Sequence, residues 1–255
     1  AMQTTAVKDG NGYVLNGSKR YITNAPFAKL GLIMARTSKE ALPKNAHVSA
    51  FLVDMEKAGV SVGKPDKKMG QEGSQIADIY LDDVHVDGDA LLGGEEGKGF
   101  RTAMMSLDNG RLSVAAASAG YARRILDTAM RYATERKAFG EAITQFQLIQ
   151  AMLADSEAEI YAAECMLKDA TAKVDAGEPS LLPAASTKLF ASEMCNRVAN
   201  RCVQIHGGAG YLAEYEAERF YRDSRIYTIY EGTSQIMQLV IAKAMLRNFA
   251  AGAQA

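Results

Sequence analysis

Gly93-Gly94-Glu95-Glu96-Gly97 lies where the residue pattern of this 255-residue chain changes. Glycine is costly inside a helix or a strand, so three glycines in five residues mark a hinge between domains. Working back from it, residues 76–86, 47–54 and 30–36 are β-like runs separated by Gly, Pro, Asp and Asn. Nearer the start, Tyr13-Val14-Leu15 and residues 19–23 flank Asn16-Gly17. Asn-Gly readily adopts the positive φ angles of a tight hairpin, so a turn is predicted there. Several short strands with no helix between them predict a small antiparallel β-barrel or sandwich over residues 1–93.

Forward from the glycines the pattern is helical. Residues 100–136, 146–175 and 181–205 are long and rich in Ala, Leu, Met and Glu, and a last helix is expected from about Thr233 to Phe249. Leu148, Met152, Ala158 and Ala162 fall near helical spacing, and Gly140 and Gly177 stand where helices should stop. Four long helices with short connections predict an antiparallel four-helix bundle over residues 94–255. The expected fold class is therefore α+β, in two domains.

Composition narrows the function. With 48% apolar and 23% charged residues, the chain can build a sizeable core without staples. A formal net charge of −1 supplies no global field for nucleic acid or an anionic membrane, so neither is an expected partner. Cys165, Cys195 and Cys202 form no CxxC pair, which suits a reducing compartment and buried, inert thiols. His47, His85 and His206 are too scattered for a metal centre, and no metal is expected. No apolar run approaches the ~20 residues that span a bilayer. No secretory signal is evident, and Ala1 ahead of Met2 reads as a tag remnant. Walker, GxGxxG and GxSxG motifs are absent from the sequence.

Three stretches look unlike scaffold. In Gln204-Ile205-His206-Gly207-Gly208-Ala209-Gly210-Tyr211, glycines end a helix and leave bare amides that a ligand or another subunit can approach, though a plain helix stop explains them too. In Ile229-Tyr230-Glu231-Gly232-Thr233-Ser234-Gln235, Thr233 or Ser234 can cap the next helix. Glu231 then sits ahead of a helix N-terminus, where an exposed glutamate compensating the dipole is the plainer reading. In Thr134-Glu135-Arg136-Lys137-Ala138-Phe139-Gly140, followed by Gln145-Phe146-Gln147, the two cations suit either a helix C-terminus or a phosphate.

Taken together and in order, four stretches resemble the acyl-CoA dehydrogenase family: Asn16-Gly17-Ser18-Lys19-Arg20-Tyr21-Ile22-Thr23-Asn24, Glu135-Arg136-Lys137-Ala138-Phe139-Gly140, Gln204-Ile205-His206-Gly207-Gly208 and Ile229-Tyr230-Glu231-Gly232-Thr233-Ser234-Gln235. The resemblance covers essentially the whole chain and implies a partial middle β domain, without its first strands, followed by the C-terminal helical domain. The family's N-terminal helical domain and its Thr-Glu-Pro-Gly-x-Gly-Ser-Asp segment would precede Met2.

The implied reaction is FAD-dependent oxidation of an acyl-CoA to a trans-2-enoyl-CoA, with Glu231 removing the α-proton while hydride leaves the β-carbon for flavin N5. Some relatives carry that glutamate on an earlier helix, at the position of Gly110, which cannot act as a base. Negative charge develops on the thioester oxygen, and the Glu231 backbone amide is implied as one of its donors. The resemblance also implies that Tyr21 and Thr23 lie beside the flavin ring. Arg136, Phe139, Gln147, Gln204, Gly207 and Gly208 would contact the FAD of a neighbouring subunit, and Thr233 and Gln235 the subunit's own. Asp108, Arg111 and Gly232 would meet the substrate. A shared FAD implies a homodimer or homotetramer, with electron-transfer flavoprotein as acceptor. The implied location is cytoplasmic in a bacterium, or the mitochondrial matrix in a eukaryote. Two other readings stand beside this one: a catalytically incomplete assembly or binding subunit, and an acyl-CoA oxidase-type relative.

Overall fold

The first hairpin turns at Gly10-Asn11, between strands β1 (Thr5–Asp9) and β2 (Gly12–Thr23), with Asp9 opposite Gly12. The structure, a computed structural model, describes residues 2–40 and 42–252. Strands β3 (Leu30–Arg36), β4 (Val48–Asp54), β5 (Val60–Val62) and β6 (Ile76–Val86) complete one six-stranded sheet in the order β4-β3-β1-β2-β6-β5. The pairings are antiparallel except for a short parallel contact between β1 and β3, at Thr5 and Arg36. The expected barrel or sandwich thus resolves into a single mixed sheet. Leu15, Ile33, Phe51, Val53, Ile79 and Val84 form its buried face, set by alternation along the strands.

The predicted turn at Asn16-Gly17 is corrected: both residues lie inside β2. Gly10, at φ 55°, already satisfies the two-residue turn, and the chain beyond it pairs along β6 from Tyr13–Val86 to Thr23–Ile76. Asn-Gly instead builds a β-bulge, where the register shifts between Leu15 and Gly17. The Asn16 amide donates to the Asp83 carboxylate and accepts from the Asp83 N–H, each at 2.9 Å. Gly17 has φ 137°, and a Cβ there would lie 2.7 Å from the Thr4 Cα. Gly17→Ala is therefore expected to destabilise the protein by about 2 kcal/mol or more, read as a lower denaturant midpoint at unchanged slope.

Residues 93–97 are tied to this sheet unit. The Glu96 carboxylate accepts from the Tyr13 hydroxyl at 2.7 Å, and the Gly97 N–H donates to Ser49 Oγ at 2.9 Å. The chain divides into compact units at Ala1–Ser106 and Leu107–Ala255. Helix α1 (Gly99–Glu135) runs through this division. After it come a small hairpin, β7 (Lys137–Ala138) with β8 (Glu141–Ala142), then α2 (Gln147–Asp175), α3 (Leu181–His206), α4 (Glu216–Ser224) and α5 (Ser234–Gly252).

The four long helices lie where the periodicity placed them. Helix α4 was not expected, because nine residues are too few for a periodicity window. Its buried Ala217, Phe220 and Ser224 nevertheless follow helical spacing. Gly177 closes α2 as expected, its N–H reaching the Val174 carbonyl at 3.0 Å. Gly140 does not stop a helix; with Phe139 it makes the two-residue turn of the β7–β8 hairpin, both at positive φ. The expected apolar line on α2 is also displaced. Leu148 is 81% exposed, while Ser156, Ile160, Ala163 and Ala170 are the buried positions.

Ile125, Ile160, Met194 and Val198 centre the helical core. Cys195 and Cys202 are buried there, their thiols pushed up to about 12 by burial, whereas Cys165 is exposed, contrary to expectation. Among the described residues no helix is long and apolar enough to cross a membrane.

Candidate active site

Glu231 stands on the connection between a 3-10 turn (Arg225–Thr228) and α5. Its backbone is left-handed at φ 53°, and Gly232 follows at φ 94°. A non-glycine residue in this region costs on the order of 1–3 kcal/mol and persists where its surroundings over-determine it. A side chain at Gly232 would be strained by this φ, and its Cβ, 2.5 Å from the Met237 Cε, would force the end of that methionine to shift. Thr233 caps α5, its hydroxyl accepting from the Ile236 N–H at 3.2 Å. Ser234 instead donates to the Glu193 carboxylate.

The Glu231 carboxylate lies against Gly110 on α1. A Cβ added at Gly110 would come within 2.5 Å of Glu231 Oε2 and 2.9 Å of its Cδ. The two positions expected to be alternative homes of one base are thus neighbours in space. Oε2 is buried with no hydrogen-bond partner. The Glu231 N–H donates to no group among the described residues. A buried carboxylate oxygen left unsatisfied is an uncommon arrangement for a merely structural glutamate.

Charged groups cluster behind this turn. Lys188 on α3 is fully buried, and its ammonium donates to the Gly232 carbonyl at 2.7 Å. Burial pushes the Lys188 pKa down to about 8; Glu193 and Glu231 oppose the shift and Arg111 adds to it. Arg111 is itself buried. The side chain of Asp108 lies outside the described residues. Lys188 and Glu193 went unnoticed in the sequence. The available signal was a lysine within the Ala184, Ala185, Ala191, Cys195 face of α3.

A second group gathers at the far end of α3. Arg136, Phe139, Gly207 and Gly208 line a cleft of about 550 Å³, joined by Tyr132 and His206. Cβ atoms at Gly207 or Gly208 would meet nothing within 4 Å, so a ligand can approach this backbone closely, although the Gly207 N–H already donates to the Gln204 carbonyl. The Arg136 side chain is exposed and makes no ion pair among the described residues. Phe139, on its hairpin turn, is 98% exposed. Gln147 and Gln204 are exposed and adjoin the lining residues Phe146 and Ile205 in sequence. His206 stacks on Tyr132 at 4.0 Å, and its Nδ1 donates to the Cys202 carbonyl at 2.8 Å. Burial pushes its pKa down, which keeps the ring neutral.

Thr233 and Gln235 line another cleft, of about 530 Å³, with Asn196, Arg197 and Arg225. In the sheet unit, Tyr21 occupies a second β2 bulge at φ 58°, where the register shifts between Lys19 and Ile22. The Asp78 carboxylate accepts from the Tyr21 N–H at 3.2 Å and pairs with Arg20 at 3.3 Å. Tyr21 and Thr23 are both exposed.

Residues 97–246 match the family described as acyl-CoA dehydrogenase, C-terminal domain, and residues 1–84 the one described as acyl-CoA dehydrogenase, middle domain. The chain belongs to the acyl-CoA dehydrogenase family. Among relatives within and around the family, it is 45% identical over 246 residues to the caffeyl-CoA reductase-Etf complex subunit CarC of Acetobacterium woodii, covering 96% of this chain and 64% of that protein. The mitochondrial short-chain specific acyl-CoA dehydrogenase of Homo sapiens is 42% identical over 249 residues, covering 98% of this chain and 60% of that one. The solved butyryl-CoA dehydrogenase from Megasphaera elsdenii aligns with a TM-score of 0.91 at 40% identity, over 96% of this chain and 63% of that chain. The chain spans less than two thirds of the length of each of these. The family shared by all four stretches, and the α+β fold it implied, are those expected from the sequence.

Proposed function

We propose that the protein dehydrogenates an acyl-CoA thioester to its trans-2-enoyl-CoA, with Glu231 as the base that takes the α-proton. One observation carries this reading: the Glu231 carboxylate, with a buried and unpartnered Oε2, packs on Gly110, the position where some relatives root their base. A carboxylate with a free lone pair in a water-poor site is equipped to accept a proton, and enclosure by an apolar acyl chain would strengthen it as a base. The unpaired Glu231 N–H would stabilise the charge that develops on the thioester oxygen, and Gly232 would border the acyl group. Asp108 and Arg111 are proposed to act toward the CoA.

The residues fit FAD. The unpaired Arg136 of the second cleft offers donors for a pyrophosphate, Gly207 and Gly208 let it come close to the backbone, and exposed Phe139 offers an aromatic face. When bound, FAD supplies the two-electron acceptor for the β-hydride. Arg136, Phe139, Gln147, Gln204, Gly207 and Gly208 are proposed to hold a neighbouring subunit's FAD in a homodimer or homotetramer. Thr233 and Gln235 would hold the subunit's own FAD, and Tyr21 and Thr23 would meet its ring. An electron-transfer flavoprotein is the proposed acceptor, supported by a relative named as a subunit of an Etf complex. We place the protein in the cytoplasm of a bacterium, the source of CarC. Anaerobic addition of a short straight-chain acyl-CoA to the full-length, FAD-loaded protein is expected to bleach the flavin absorption and release enoyl-CoA. Bound flavin that stays unbleached across straight, branched and aryl acyl-CoAs would overturn the reading.

A further inference from the structure

We infer that Lys188 is a positioning residue for the proposed base, holding the left-handed Glu231-Gly232 turn by its bond to the Gly232 carbonyl so that the carboxylate rests over Gly110. The inference rests on the proposed role of Glu231 and adds a residue to it. Glu231 at φ 53° and Gly232 at φ 94° reverse the chain within two residues. Among the described residues, the Lys188 bond is the one hydrogen bond made by any backbone group of that pair. A strained turn needs something to over-determine it, and this contact crosses from the first third of α3 to the loop ahead of α5.

The choice of residue points the same way. Position 188 lies on the apolar face of α3, beside Ala184, Ala185 and Ala191, where any aliphatic side chain would pack. A buried ammonium is costly there. Glu193 and Glu231 offset the cost in part, and Arg111 adds to it. Replacing a whole buried set of charges by apolar residues is often neutral or stabilising, whereas removing one partner alone leaves the others uncompensated and is costly. A core lysine aimed at one carbonyl of that turn ties the turn to α3 and so fixes where the Glu231 carboxylate can lie.

The test compares Lys188→Met with wild type in the full-length, FAD-loaded protein. The expected result is a kcat at least about tenfold lower and a KM for acyl-CoA within about twofold, with a lower melting temperature because the Gly232 carbonyl and the facing carboxylates lose their partner. Lys188→Gln, which restores a neutral N–H donor, is expected to recover part of the lost kcat. In a Glu231→Gln background, Lys188→Met should have no further effect on kcat, because the residue acts through Glu231. Wild-type kcat in Lys188→Met, with Glu231→Gln inactive, overturns the positioning role and leaves the base assignment intact. Wild-type kcat in Glu231→Gln removes the base assignment and this inference with it. Should Lys188→Met fail to fold, Lys188→Leu, which also lacks a donor, decides: reduced kcat at unchanged KM supports the role, and wild-type kcat overturns it.

Discussion

Glu231→Gln in the full-length, flavin-loaded protein is expected to lower kcat by about 10²–10⁴-fold, the usual contribution of a positioned proton acceptor, with the bound flavin spectrum retained. Glutamine matches glutamate in size and keeps the left-handed backbone at φ 53°, so the turn, the Thr233 cap and the Lys188 contact should survive. What is lost is the basic lone pair of the buried, unpartnered Oε2. Single-turnover bleaching by acyl-CoA isolates the chemical step from product release. Bleaching at the wild-type rate would remove Glu231 from the mechanism.

Gly110→Ala should separate stability from activity. Alanine is the better helix residue by about 1 kcal/mol, so the melting temperature should hold or rise. The new Cβ, however, would sit 2.5 Å from Glu231 Oε2. The nearest obstacle is the far end of a side chain, so the carboxylate moves and the backbone need not. A displacement of about 1 Å at a reacting group can cost about 10²-fold, which is the expected loss in kcat. The paired change Gly110→Glu with Glu231→Gly moves the base to α1 and relieves the positive φ at 231, and it should recover turnover relative to Glu231→Gly alone. A double variant no better than that single one would show that the two positions cannot exchange roles.

The helices were legible because their signal is dense. Long runs of Ala, Leu, Met and Glu placed α1, α2, α3 and α5 within a few residues of their ends. Turn chemistry was less decisive. Asn16-Gly17 has the strongest hairpin preference in the first thirty residues, yet Gly10-Asn11 makes the turn. A positive φ serves a bulge as well as a hairpin, and the choice is settled by pairing with β6, over 60 residues away. The site shows the same limit. Local reasoning left Glu231 as an anion near a helix start, with nothing to mark it as a base. Its neighbours Gly110 and Lys188 come from α1 and α3, and contacts of that range leave no trace in a local window. The order of the four family stretches supplied what local physics did not.

Gly110 and Glu231 are about 120 residues apart in the chain. Closing so long a loop carries an entropic cost before any contact offsets it. In a refolding experiment, helical signal should therefore return first, and the ability to turn over substrate last. No fragment holding only one of these two positions can bring the Glu231 carboxylate against Gly110. Under the proposed function, turnover is then a late report on folding, more stringent than any spectroscopic measure of helix content.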